Sequence, residues 1–550
     1  MRLLKALINS LLSGIFFASL LALLIYDLNT SLDFKISSLV QFSLFLSLSY
    51  GLVVCVICLL IYLIFQFFFD KKIKIAFISP SFLTISFSFL ILLFLIIFRT
   101  NYRYFFTIFN PEITTLLRSQ MIFLLVAAVL GLVTFYLYHF YRKSALFFLV
   151  YFALFWAIMF YVFLQRVNYP VPLTMSRVAH FEARDIDKKI SIIGLEGLSF
   201  DFIIPLISEG KLPNISVLVD NGSWGKLKNF SPNEAIILNN SFNTGKYPSK
   251  HRKVSPHSYR LLYCKEEVEV VPRYIFFRQL IRSGFLEILP PKQSSLPVKD
   301  IWKIFEDNRI AYLKKDWPYG AEEIKPSPRA EKLFLQFYED LQHETSDIFA
   351  FARDAFFLDY EWEARALEEK NQQKPQFFYF LLNGLNIIET YFYKYSFPEL
   401  IGNIEQEDIN KYGFVIEKYY KFYDQLLGKH LASMKEDELL IVYSSHGIEP
   451  LPLWKRFVEW ILGNKDVSAY HENAPEGVIL FYGKGISRGK NIEGMRIIDI
   501  APTLLYYLGL PVGRDMDGIV KSSVFMKDFT SENPIFYISS YEEISIKPPS

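Results

Sequence analysis

Cysteine is scarce in this sequence. There are three in 550 residues, and two of them, Cys55 and Cys58, fall within one apolar run. With Cys264 alone in the remainder, no disulfide framework is available to the polar part of the chain. The Cys-x-x-Cys spacing at 55–58 reads as two small apolar side chains, not as a redox pair. Charge is scarce too: Asp, Glu, Lys and Arg make up 21% of residues, with a formal net charge of +2. That excludes a disordered chain and a highly charged soluble one. Acidic residues are nearly missing from the first third, where residues 1–166 hold four against twelve Lys/Arg; the rest holds 52 against 46. A slightly acidic remainder lacks the basic surface that nucleic-acid binding needs, so no nucleic-acid partner is expected.

Hydrophobic residues fill that gap, at 52% of the chain with 54 phenylalanines. A spanning helix needs about 20 apolar residues to cross roughly 30 Å of hydrocarbon. Five stretches qualify, at about 4–26, 39–69, 76–98, 121–141 and 145–164. The first is too long for a signal-peptide core and has no small-residue cleavage site before Asp27, so it reads as a retained helix. Arg2, Lys5, Lys71, Lys72, Lys74, Arg142 and Lys143 flank one side of these spans. Lys35, Arg99, Arg103 and Arg118 flank the other. The bias predicts a cytoplasmic N-terminus and, after five crossings, an extracytoplasmic C-terminal part of a multi-pass cell-membrane protein. No charged residue lies mid-span, which leaves a transport-associated role as the weakest reading. Residues 101–120 are amphipathic and are expected to lie on the membrane surface.

The predicted organisation is a transmembrane domain at 1–166, a linker at 167–187 and an extracytoplasmic domain at 188–550. In the last of these, short apolar runs ending in turn residues ("KISIIGLEG", "QFFYFLLNG", "ELLIVYSSHG", "EGVILFYGKGI") alternate with helical patterns ("SFDFIIPLISEG", "DIAPTLLYYLGLP"). The fold class is therefore an N-terminal α-helical membrane bundle followed by an α/β domain, a sheet with helices on both faces. Ligands gather at the carboxyl ends of the strands in such sheets. Glu196, Asn386, Ser445 and His446 stand there.

The same strand ends carry a resemblance. "IIGLEGLSFDFIIPLISEGKLPNISVLVDNGSWGKL", "SFNTGKYPSKH", "DIWKIFEDNRIAYLKKDWP", "IVYSSHG", "HENAPEGVILFYGKGI" and "IIDIAPTLLYYLGLPVGRDMDG" together cover about residues 188–520. They resemble the alkaline phosphatase superfamily, in its type I phosphodiesterase/nucleotide pyrophosphatase branch. Five spans before such a domain also resemble lipoteichoic acid synthases and phosphoethanolamine transferases. The resemblance implies an alkaline-phosphatase-like sheet and two divalent metals, usually zinc, about 4 Å apart. It also implies a Ser or Thr nucleophile and a ligand set of three carboxylates and three histidines.

Position by position, the implied site is degenerate. The first metal-binding Asp falls on Glu196. The nucleophile falls on Ala235, nine residues before Thr244, and the Asn that follows it falls on Leu238. The Asp-x-x-x-His pair falls on Asn386 and Thr390, and the Asp of Asp-His-Gly on Ser445. His446 and His471 stand as the family has them. Neutral Asn, Thr and Ser do not balance two divalent cations. The expectation is no catalytic residue and no cofactor, or at most one divalent metal, zinc or manganese, on Glu196, His446 and His471. Ser231, Ser241, Glu234 and Glu389 are the residues from which a rebuilt centre would have to come. A lineage that lost its metals replaces buried carboxylates by neutral groups, because an uncompensated buried charge is costly. The chain therefore reads as a pseudoenzyme at the cell envelope that contacts membrane lipid and binds a phosphate-containing ligand or an envelope protein. The alternative is an active phosphodiesterase or phosphotransferase acting on an envelope lipid or lipid-linked polymer through a non-standard centre. Asp499 and Thr503 read as helix-start chemistry. The role of residues 321–370, rich in Glu, Phe and Tyr, stays open at this point, a helical insertion that rebuilds the cleft being one alternative.

Overall fold

A computed structural model describes residues 2–32, 35–68, 77–141, 144–167, 169, 188–273, 277–291, 298–318, 325–402, 404–472 and 474–542. The basic residues Lys71, Lys72, Lys74, Arg142 and Lys143, and nearly all of the 167–187 linker, lie outside them. The chain forms two compact units: Met1–Leu173 with Pro248–Leu296, and Thr174–Tyr247 with Pro297–Ser550.

Among the described residues, the first unit has five helices long and apolar enough to cross a membrane: Leu3–Leu28, Ile36–Phe68, Pro80–Tyr104, Pro111–Tyr141 and Leu146–Val167. All five expected spans are present. Residues 101–120 are mostly the ends of two of these helices, joined through a short 3-10 turn at Phe106–Ile108, and Phe105, Ile108 and Phe109 are buried there. Arg118 donates to the Tyr102 hydroxyl across that junction at 2.8 Å. Arg166, buried at the end of the fifth span, donates to the carbonyls of Tyr26, Asn29 and Leu32 just where the first span ends. Those orphan helix-end carbonyls thus gain a charged donor.

The expected boundary of this unit differs from the structure at one place. Residues 248–296 fold with the helices, not with the α/β domain. They form a small antiparallel sheet of Glu267–Val268, Ser258–Leu261 and Leu286–Leu289. Leu261, Val268, Val270 and Leu286 share one buried core with the spans. Two asparagines fix the segment. Asn29 donates to Val270 O (2.7 Å) and accepts from the amides of Glu269 and Val270 (both 2.8 Å). Asn101 accepts from the Arg273 amide at 2.7 Å. A sequence pattern reveals the apolar residues of such a hairpin but not which core they join.

The second unit is a mixed sheet flanked by helices. Its strands are β1 (Lys189–Leu195), β2 (Ser223–Lys228), β3 (Tyr312–Lys315), β4 (Phe377–Leu382), β5 (Glu438–His446), β6 (Glu476–Gly483), β7 (Lys490–Asn491) and β8 (Met495–Arg496). The order is β7-β2-β6-β5-β1-β4-β3, with β8 also on β2. Strands β5, β1, β4 and the edge strand β3 run parallel. β6 is antiparallel to both β5 and β2. β4 and β5 are buried along their whole length, as strands covered on both faces are, and this is why they read as continuous apolar runs. Residues 321–370 do contribute helices, Pro328–Phe337 and Asp347–Gln373.

Candidate functional site

Three parallel strands end side by side, and the chemistry sits where they end. Glu196 follows β1, held in register by its amide on Leu382 O of β4 (3.0 Å). Gly197 comes next with φ +99°, a conformation that favours glycine. A Cβ there would stand 2.7 Å from Glu389 Oε2 and 2.9 Å from the Asn386 amide, so the turn is closed to any larger residue.

Glu196 does not cap the helix that follows. Ser199 does, accepting from the Asp201 amide at 3.2 Å. The Glu196 carboxylate turns instead to the end of β5. Its Oε2 accepts from the Ser445 hydroxyl (2.7 Å), the Ser445 amide (3.0 Å) and the Ser444 hydroxyl (3.4 Å). Burial raises the Glu196 pKa, and the Ser445 hydrogen bonds partly offset that rise. Where the family pattern has Asp, Ser445 thus supplies a donor in place of a second acceptor. Replacing Ser445 by Ala removes the shortest of these bonds from a buried carboxylate. The expected cost is about 1–3 kcal/mol in a denaturant unfolding experiment near neutral pH.

His446 and His471 lie together, their rings stacked at 4.6 Å and 20°. His446 Nε2 is 3.7 Å from Glu196 Oε2, and Nδ1 donates to Gly447 O at 3.0 Å, which fixes the tautomer with Nε2 unprotonated. Burial pushes both imidazoles down to about 4, with the His446 ring adding to the effect on His471. Both are neutral at physiological pH, so neither repels the other.

Ala235 is the first residue of the helix Ala235–Thr244, with Glu234 extended at the N-cap. Its methyl brings no nucleophile to the helix start. Ser241 is buried inside that helix. Asn386 and Thr390 sit one turn apart on the helix Gly384–Ser396. The Thr390 hydroxyl is spent on its own helix, donating to Asn386 O at 2.8 Å. The Asn386 amide donates to Asn383 Oδ1 (3.3 Å). Glu389 is fully buried and accepts from the Tyr420 hydroxyl at 3.3 Å. Burial raises its pKa, and the Tyr420 hydrogen bond opposes that rise.

The structure thus joins Glu196, Ser445, His446 and His471 in one cluster and sets the Asn386 backbone against Gly197. Among the described residues, the Thr390 side chain makes no hydrogen bond to that cluster. Asn233, which the sequence does not single out, ties the Ala235 segment to the cluster: buried, it donates to His471 O at 2.6 Å. Nothing but its place two residues before Ala235 would have pointed to it. The donor set for a cation is one carboxylate and two imidazoles. Among the described residues, no group of three or more His, Cys, Asp or Glu is arranged to hold a metal ion. These residues do not fit the two-metal centre that the family resemblance implies.

The domain architecture and the strand-end site define a member of the alkaline phosphatase superfamily. The chain belongs to the type I phosphodiesterase/nucleotide pyrophosphatase family, whose pattern matches residues 191–497. No curated protein matches it. Among solved structures it is similar to the phosphonate monoester hydrolase SpPMH from Silicibacter pomeroyi, at 13% identity and TM-score 0.36, covering 62% of this chain and 76% of that one. It is also similar to murine ectonucleotide pyrophosphatase/phosphodiesterase 5, at 13% identity and TM-score 0.33, covering 59% of this chain and 95% of that one.

Proposed function

We propose that this is a membrane-anchored pseudoenzyme whose family domain faces the extracytoplasmic side and binds a phosphate-containing ligand or an envelope protein in the former catalytic cleft. The N-terminus is cytoplasmic in this reading, supported by five spans and by the basic residues that flank their odd-numbered starts. One observation carries the loss of catalysis. Glu196 and Ser445 stand where the family pattern places two metal-binding carboxylates, and they satisfy each other by a 2.7 Å hydrogen bond. Hydrogen bonding here replaces the charge balance that metal would supply. Ala235 at the helix start adds to this, since there is no alkoxide to attack phosphorus.

A second reading draws on the neutral His446–His471 pair beside Glu196, which is chemistry suited to one zinc or manganese ion. Under it the protein is a phosphodiesterase or phosphotransferase that uses an activated water. The test uses the purified full chain in detergent. Zinc and manganese are measured by elemental analysis after dialysis, and turnover of bis(p-nitrophenyl) phosphate is followed with each metal added. The pseudoenzyme predicts near-zero metal and no turnover above the blank. About one metal per chain, with turnover abolished by Glu196→Ala and His446→Ala, would establish the second reading instead.

A further inference from the structure

The chain between His446 and His471 makes an excursion. It leaves through Glu449–Pro450, forms the nine-residue helix Leu453–Ile461, and returns through Ala469–Tyr470, which pairs antiparallel with the outgoing strand. This helix is amphipathic in the inverted sense. Leu453, Trp454, Phe457, Trp460 and Ile461 fall at i, i+1, i+4, i+7 and i+8, one face of a helix, and each is 52–76% exposed. No residue of the helix is buried.

Its charged residues are the ones held by the protein. Lys455 pairs with Glu472 at 2.5 Å and lies 4.1 Å from the Tyr470 ring centre. Arg456 donates to Ile401 O at 2.9 Å, and Glu459 accepts from Asn464 at 2.7 Å. Arg456 thereby sets the turn Pro398–Ile401 beside the helix, and its Leu400 is 54% exposed. A helix of a water-facing domain turns its apolar stripe inward. Here the polar side is anchored and the apolar side, with two of the seven tryptophans of the chain, is turned out.

We propose that Leu453–Ile461 lies in the headgroup layer of the lipid bilayer, its Trp-rich face in the acyl boundary. Three features select lipid as the occupant. The described residues include five helices of spanning length, so the domain is tethered by its own chain to a bilayer. Tryptophan paired with Leu, Ile and Phe is the composition of interfacial helices, since the indole ring prefers the headgroup level. Lys455 is already paired with Glu472 and Arg456 is turned to the Ile401 carbonyl, so binding rests mainly on apolar area. The inference holds whether or not the cleft does chemistry, and on whichever side of the membrane the domain lies.

The test uses the full chain in phosphatidylcholine proteoliposomes, with a nitroxide on Phe457→Cys or Trp460→Cys. Cys55, Cys58 and Cys264 are buried and take no label, which the wild-type chain verifies. Collision rates with oxygen and with a water-soluble nickel chelate are compared with two references. Gln336→Cys marks an exposed water-facing site in the same unit, and Trp156→Cys an exposed site on the last span. The expected oxygen-to-nickel ratio at 457 and 460 is several-fold above that at 336 and approaches that at 156. A ratio equal to that at 336 overturns the proposal. So does exclusion of both reagents, whether with spin–spin broadening that dilution by unlabelled chain removes (a second copy on the face) or without it (another part of this chain).

Discussion

Asp359→Ala is expected to destabilise the family domain by about 3–5 kcal/mol, because it strands three buried donors at once. Asp359 is fully buried on the long helix Asp347–Gln373. Its Oδ2 accepts from the Tyr419 hydroxyl (2.6 Å), the Tyr423 hydroxyl (2.7 Å) and the Gly384 amide (3.2 Å). Gly384 opens the helix that carries Asn386 and Thr390, so this carboxyl positions one wall of the cleft. The fit is tight: a Cβ on Gly384 would stand 1.9 Å from the Tyr419 oxygen. Asn in place of Asp keeps an acceptor for all three donors, so Asp359→Asn should cost far less than Asp359→Ala. A pH series separates hydrogen bonding from charge. Burial raises Asp359 to about 7. The folded state then keeps a proton that the unfolded state releases above about pH 4. Its stabilisation is full below pH 4 and declines as pH rises through 7, by up to about 4 kcal/mol. Asp359→Asn removes this slope. Unfolding of the full chain in detergent at pH 5 and pH 8 should show wild type losing stability relative to the Asn variant at the higher pH. Equal losses at both pH values would mean that Asp359 is ionised in the fold.

The same cluster shows what was legible in the sequence. The strands that carry Glu196, Ser445 and His446 are buried on both faces, so their apolar runs and terminal turn residues stand out, and the site positions follow by counting. The five spans are legible for the same reason, being long and uniformly apolar. Asp359, Asn233 and the asparagines at 29 and 101 are not legible. Each is a single polar residue with a partner 25 to 241 positions away, and no local pattern records such pairings. The 248–296 hairpin escapes for a related reason, since its short strands would suit either core. Glu389 was a candidate ligand by sequence spacing alone. In the fold its carboxyl is buried against Tyr420 and Gly197, where burial favours the protonated form.

The segments most like the family are also the ones that hold the fold, and Asp499 tests that connection. Asp499→Ala is expected to cost about 2–4 kcal/mol, because it takes the acceptor from the Ile519 and Arg496 amides and from a half-buried guanidinium. The side chain is fully buried. Oδ1 accepts from Arg496 Nη2 (2.7 Å) and the Ile519 amide (2.9 Å), and Oδ2 from the Arg496 amide (2.9 Å) and Nε (3.2 Å). Its carbonyl takes the Thr503 hydroxyl at 2.6 Å, and that hydroxyl accepts from the Lys521 amide at 3.0 Å. The neighbouring amides of Asp517 and Gly518 reach Gly245 O, and Asp517 Oδ2 accepts from the Tyr247 amide. "DIAPT", "DMDG" and "TGKYP" therefore form one hydrogen-bonded lock at the end of the helix that begins with Ala235. Under the pseudoenzyme reading proposed above, selection for folding alone would suffice to retain these motifs. Asp499→Asn, which keeps one acceptor but sets an amide against the guanidinium, should fall between wild type and Ala. A melting-temperature loss of only a degree or two for Asp499→Ala would mean that the lock contributes little, and retention of these motifs would then need a ligand or partner to explain it.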